Sequence, residues 1–287
     1  MIELIILAII NGLILGGVYA LVAVGLNIIY GVMKIVNFAH GEFLMIGMYT
    51  AYWLFVLFGI NPYLSVVLTV PVVILVAVAT EKLLIEPVIE APELNQLLIT
   101  AGLSIFLQNL ALLLWKADYR GIPIEIHNIT VGIMTISLER VIPLIVAVPI
   151  SILLYLFLHK TRIGRNIRAV AQDREAAELM GIDVKRVYVL TFALAGTLVG
   201  VASALLAPVY YVFPLAGTSF GVMSWIIIVF GGLGSFEGAL VGSFILGIVE
   251  AVAGVLTSVE LGRAIAFVIF LITLIARPEG LLGRRKL

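Results

Sequence analysis

Three polar side chains fall within six residues near the start of this sequence, Asn37, His40 and Glu42 in the run Asn37-Phe-Ala-His-Gly-Glu42. An amide, an imidazole and a carboxylate so spaced can gate or line a path for a polar solute, or pass a proton. A passive turn would need Gly31 and Gly41 and be indifferent to the other three, so two readings stand, gate and turn. On a helix Asn37 and Gly41 share a face. Glu42 then opens the next span, with its charge near a helix N-terminus, where an anion gains about 0.3–1 kcal/mol. Glu250 is a second isolated acid, inside an otherwise apolar run. A carboxylate at membrane depth costs about 2.5–3.5 kcal/mol, so it must face the bundle interior and pair or protonate. Gln108 and Asn109 also lie within an apolar run, where hydrogen bonding between helices at roughly 0.6 kcal/mol is the ordinary role.

Other chemistry is excluded. Gly217-Thr-Ser-Phe-Gly221 spells a nucleophile elbow, but that motif needs a strand-to-helix turn with a His and an acid in reach. Here it opens a short apolar helix, and the three His stand apart at 40, 127 and 159. No phosphate-binding loop of the G-x-x-x-x-G-K-[ST] type occurs, so this chain has no such loop with which to bind ATP. With no Cys there are no disulfides and no thiolate metal sites, and no cofactor is expected.

The charges gather between His159 and Val187, where Lys160, Arg162, Arg165, Arg168, Arg174, Lys185 and Arg186 stand beside Asp173, Glu175, Glu178 and Asp183. A basic segment between apolar runs reads as a cytoplasmic loop. Within it Asp173 can cap a short helix from Arg174 to Met180, about 10 Å long. Gly181 can close that helix in the left-handed conformation, and Asp183 can cap the next one.

The elements that hold these residues are apolar throughout. The chain is 287 residues, 63% hydrophobic and 12% charged, against about 25% charged in soluble domains. That composition specifies an all-α polytopic membrane protein, a single transmembrane domain over 1–287 with the 159–187 loop inside it. Net charge is zero, which gives no argument for nucleic acid as a partner. Runs near the twenty residues needed to cross a bilayer lie at 4–29, 63–84, 96–116, 140–159, 187–207 and 238–258. Shorter runs at 42–58, 215–230 and 262–277 bring the expectation to about eight to nine transmembrane helices, with re-entrant half-helices possible. The N-terminal MIELIILAII has no basic leader and reads as a retained first span. Nine crossings put the N-terminus outside and leave only Lys116, Arg120, Arg140 and Arg263 of the basic residues there, in accord with the positive-inside rule. The loop 159–187 and the C-terminal GRRKL are then cytoplasmic. The alternation in 117–139 predicts a small extracytoplasmic hairpin about His127-Asn128, with His127 an exposed turn residue. Gly12/Gly16, Gly196/Gly200 and Gly238/Gly242 are spaced for close helix approach in lipid. Two glycine-rich interruptions, 27–42 and 230–240, occupy corresponding places in a weak internal repeat, a pointer to a transport path; for the second, a tight turn is the favoured reading.

These residues carry a resemblance. Asn11-Gly-Leu-Ile-Leu-Gly-Gly-Val-Tyr-Ala-Leu through Asn37–Glu42 resembles the opening of branched-chain amino-acid permeases of the LivH type. Ser104-Ile-Phe-Leu-Gln-Asn109, Arg162-Ile-Gly-Arg165, Gly231-Gly-Leu-Gly-Ser235 with Gly238, and Pro278-Glu-Gly-Leu-Leu-Gly283 extend it along the whole chain. The resemblance implies an ABC importer of the prokaryotic inner membrane. Its partners would be a second related permease, two cytoplasmic ATPase subunits and an extracytoplasmic binding protein. It carries the role of an ATPase-docking helix, the EAA signature, onto Glu175, Ala176, Ala177 and Gly181, within a coupling helix that Asp173 and Arg174 begin. The Leu-Pro that often closes that signature is missing. Asn37, His40, Glu42 and Glu250 are the candidates for path or gate. No cluster of like charges lines any span, so a zwitterion with an apolar body fits better than an ionic solute. Urea and short-chain amide permeases share the N-x-A-H-G-E pattern and are the alternative; an ion-coupled secondary transporter using Glu42 or Glu250 is a further one.

Overall fold

In lipid every backbone N–H must find its acceptor within its own segment, so long apolar runs become helices. The computed structural model describes residues 2–123, 128–131 and 134–283. In chain order it has α1 (Ile2–Met33), α2 (His40–Phe58) and α3 (Val66–Thr80), which runs on through a π turn (Glu81–Ile85) and a 3-10 turn (Glu86–Val88). Then come α4 (Glu93–Trp115), strands β1 (Asn128–Val131) and β2 (Met134–Ser137), α5 (Leu138–Lys160), α6 (Arg162–Gln172) and α7 (Arg174–Leu179). The chain ends with α8 (Val184–Leu206), α9 (Ala216–Gly231), α10 (Phe236–Leu256) and α11 (Val259–Ala276). Among the described residues eight helices are long and apolar enough to cross a membrane: α1, α2, α3 with its continuation, α4, α5, α8, α10 and α11. The runs at 42–58 and 262–277 thus lie in full-length helices, while α9 stays short at 16 residues, about 24 Å against a hydrocarbon core of about 30 Å.

The expected hairpin is present but centred elsewhere. Its ladder pairs Asn128 with Ser137 and closes at Val131–Met134, so the two strands join beyond Val131 and not about Asn128. Asn128 is the first residue of β1 and pairs with Ser137, which takes it out of the turn. His127 itself, and Arg284–Leu287 of the tail, lie outside the described residues.

Helix α1 is the axis of the bundle, packed against α10, α8, α5 and α9. From Val18 to Ile29 every one of its side chains is buried. Glycine makes the α1–α10 crossing possible: a Cβ on Gly16 would lie 2.8 Å from the Phe244 Cα, a separation that only a missing side chain permits.

The chain then doubles back into the bundle. Lys34 turns it with a φ of 59°, residues 35–39 run without helix, and α2 begins at His40, whose Nε2 lies 3.0 Å from the Val22 carbonyl. Val22 stands about three turns of α1 back from Met33, so α2 starts well inside the bundle rather than at its rim. The re-entrant element is this non-helical segment. Asn37 precedes the helix and so does not share a helical face with Gly41, because the helix starts three residues later. The other interruption, 232–235, is the tight turn expected, with Gly232 and Gly234 at φ 113° and 79°. The two interruptions touch: Asn27 donates from Nδ2 to the Ser235 carbonyl (2.7 Å) and accepts from the Gly234 N–H (2.8 Å).

Candidate functional site

Helices α2 and α9 begin at the same depth and run in opposite directions from it. Gly41 and Gly217 face each other there, and a Cβ on either would strike the other's backbone. Neither helix has a side-chain cap at its start. Several of their opening N–H groups turn back onto preceding carbonyls (Glu42 onto Ala39, Ala216 onto Phe213, Thr218 onto Leu215), and the positive ends of two helix dipoles converge inside the bundle.

Glu42 occupies this meeting point, 2% exposed. Its Oε1 accepts from Ser104 Oγ (3.0 Å) and from Gln108 Nε2 (2.8 Å), both on α4. Gln108 also donates to Thr218 Oγ1 on α9 at 3.3 Å, closing a small polar ring across three helices. Glu42 Oε2 is buried without a hydrogen-bond partner. Beside the carboxylate lies a cavity of about 340 Å³, walled mainly by Phe38, Ile105, Val222, Trp225 and Ile226. An anion with one free oxygen, two helix starts and an apolar wall can together hold a small molecule that has both charges and a greasy body.

The neighbouring candidates face other ways. His40 is buried with its ring on the α1 backbone at Val22, close to Gly25. Asn37, fully buried, accepts the Ala39 N–H at 3.0 Å and so shapes the approach to α2. Both support the position of Glu42 and neither lines the cavity. Glu250 is elsewhere. It accepts from the Tyr19 hydroxyl (2.8 Å) and from Arg263 Nε (3.1 Å), so the isolated acid is paired, as its depth demanded. The nucleophile-elbow lookalike sits in the first turn of α9, with no strand leading into it among the described residues.

Toward the opposite end of the bundle from α6 and α7, Arg120 lies against α2 about three turns beyond Glu42. Its guanidinium lies over the Tyr52 and Trp53 rings at 5.7 and 5.4 Å and donates to the Trp115 carbonyl at 2.9 Å. Its backbone pairs with Val212, just before α9. Sequence reading marked Arg120 only as a basic residue of a loop; the aromatic pair Tyr52-Trp53 was the available signal.

The 159–187 segment forms α6 and α7. Asp173 Oδ1 accepts the Ala176 N–H at 2.9 Å, and Gly181 closes α7 at φ 81°, with the Ile182 N–H on the Ala177 carbonyl. Asp183 caps α8 through the Arg186 N–H at 3.0 Å. Glu175 lies in the first turn of α7, Ala176 supplies a capped N–H, and Ala177 packs inward. Leu179 and Met180 protrude, 89% and 83% exposed. Two ion pairs fasten this region to the end of α3: Arg174 to Glu90 (3.1 Å) and Lys185 to Glu86 (2.8 Å).

The family described as branched-chain amino acid transport system / permease component matches residues 8–274. The high-affinity branched-chain amino acid transport system permease protein LivH of Escherichia coli (strain K12) is 33% identical, over 96% of this chain and 94% of its own length. BraD of Pseudomonas aeruginosa, of the same description, is 32% identical over the same shares. A probable branched-chain amino acid transport permease protein LivH of Methanocaldococcus jannaschii is 31% identical over 95% of this chain and 91% of its own. No solved structure matches the chain.

Proposed function

Because the chain belongs to the branched-chain amino acid transport permease family and is a permease subunit of an ABC importer, we propose that it moves branched-chain or similar apolar amino acids through the cavity beside Glu42. The observation that carries this reading is the convergence of two helix starts on a buried carboxylate with an apolar wall. The substrate ammonium meets Glu42 Oε2, its carboxylate lies at the positive end of the α9 dipole, and its side chain lies on Val222 and Trp225. The wall rewards an apolar body; the carboxylate rewards an ammonium, which urea and simple amides lack.

In this reading the whole chain is one permease domain that pairs with a second, related permease. The α6–α7 end and the C-terminus face the cytoplasm of a prokaryotic cell, and the hairpin faces outward. Two ATPase subunits dock on α7, with Leu179 and Met180 entering a groove on the partner and Asp173, Arg174, Glu175 and Gly181 keeping the helix short and rigid. ATP hydrolysis belongs to those partners, and an extracytoplasmic binding protein delivers the amino acid.

The test is uptake of labelled leucine by the reconstituted complex, with competitors. Isoleucine and valine are expected to compete well, urea and amides poorly. Amides outcompeting all three amino acids would transfer the chain to amide transport. Leucine flux from this chain alone, driven by an ion gradient, would make it a secondary transporter.

A further inference from the structure

A second cavity, about 400 Å³, lies nearer the opposite end of the bundle from α7, between α1, α10, α11 and the segment following α8. It holds the Glu250–Arg263 pair. Glu250 is 7% exposed in its side chain and Arg263 52%, so the acid sits at the floor and the guanidinium at the mouth. Arg263 uses Nε for Glu250, and its terminal nitrogens have no hydrogen-bond partner among the described residues. Those nitrogens suit a planar carboxylate. Glu250 accepts one bond on each oxygen, from Tyr19 and Arg263, and a carboxylate has room for about four. The remaining wall is apolar, including Ile14, Val18, Leu206 and Val255, with Asn11 and Tyr210 at the side.

The first two turns of α9 lie between this cavity and the one at Glu42. The Phe220 ring lies 6.1 Å from that of Tyr19 and 5.6 Å from that of Tyr210. Its helical neighbours Thr218, Gly221 and Val222 line the Glu42 cavity. The two chambers thus share a thin partition.

We propose that the Glu250–Arg263 cavity is a second amino-acid site, a loading chamber in series with the one at Glu42. Its ligand is a zwitterion with an apolar side chain: ammonium on Glu250, carboxylate on the outer nitrogens of Arg263, body on Ile14 and Val255. A charge-balanced pair favours such a ligand over a simple anion, which Glu250 would repel. The proposal rests on the reading that the substrate is an apolar amino acid. A zwitterionic phospholipid shares the headgroup chemistry, and the test separates the two.

The complex, assembled with its partner subunits in phosphatidylcholine nanodiscs, is labelled with a diazirine analogue of leucine and the modified peptides are mapped. Label is expected on 8–18 and 250–263, competed by leucine. Arg263→Gln should reduce it about tenfold or more. The exchange Glu250→Arg with Arg263→Glu keeps an ion pair, and so a structural pin, but sets like charges against the ligand. It should melt near the parent temperature and still lose the label. Label absent from these peptides, unchanged in Arg263→Gln, restored in the exchange variant, displaced equally by 4-methylpentanoate, or displaced by phosphatidylethanolamine but not leucine would each overturn the proposal. Leucine uptake by the unmodified complex is measured in parallel. Normal uptake without label here removes only the second site, whereas failed uptake removes the transport reading and leaves the map to decide this cavity.

Discussion

Replacing Glu42 by Gln is the sharpest probe of the central site. The amide keeps the length of the side chain, and its carbonyl can still accept from Ser104 and Gln108, now 3.0 and 2.8 Å from Oε1. The scaffold is therefore largely preserved, and the change falls on Oε2, which has no protein partner. If that oxygen receives the substrate ammonium, the variant exchanges a charged hydrogen bond for a neutral contact. Bonds to charged groups contribute about 1.5–3 kcal/mol and neutral ones about 0.5–1.5, a difference of roughly 1–2 kcal/mol. At 1.4 kcal/mol per decade this is about a 5- to 30-fold rise in the KM for leucine. The assay is labelled leucine uptake in proteoliposomes holding the complex with its ATPases and binding protein, beside subunit content and melting temperature. Glu42→Ala serves as contrast, since it strips acceptors from Ser104 and Gln108 and should lower the melting temperature as well. A KM for Glu42→Gln within about twofold of the parent, at equal assembly, would refute the argument that Glu42 touches the substrate.

Other outcomes follow from local geometry. Gly181→Val places a β-branched residue at φ 81° where no neighbouring atom interferes, so the cost is backbone strain of about 1–3 kcal/mol. The variant should insert normally and lose ATPase subunits on co-purification, with Gly181→Asn milder; full assembly and uptake in the Val variant would end the coupling assignment. Gly217→Ala drives a methyl into the Gly41 backbone, and overpacking of about 1–3 kcal/mol should lower both melting temperature and leucine uptake. Asn27→Ala removes both bonds to the 232–235 turn. At roughly 0.6 kcal/mol each the melting temperature should fall about 2–4 °C, and an unchanged melt would make the link dispensable.

The sequence made some of this plain. Helices in lipid are announced by length and hydropathy, and the α7 region was legible to the residue because caps act locally: Asp173, Gly181 and Asp183 each do what their positions along the chain dictate. Where partners lie far apart in sequence, the reading stopped. Glu42 was visible as a misplaced charge, but its bonds to Ser104 and Gln108 cross more than sixty positions. His40 looked like a pathway residue because nothing in its neighbourhood shows that a chain reversal turns its ring onto Val22. Glu250 announced the need for a partner, but not that Arg263, beyond the next turn, supplies it.

The ties between α3 and the α7–α8 corner have a mechanical meaning. Glu90–Arg174 and Glu86–Lys185 join exposed side chains, with Glu86 alone half-buried, and surface pairs of this kind hold with about 0–1 kcal/mol each, less as salt rises. They behave as a slipping clutch rather than a weld. A push on α7 must then pass along the covalent chain, through the Asp183 cap, into α8. That helix is stiffly gripped, with every side chain from Leu198 to Leu206 buried, and it leads within ten residues to the start of α9. A stroke delivered at one surface would arrive at the convergence of helix starts as a shift of α9, with α3, packed closely on α8 at Gly196 and Gly200, carried along.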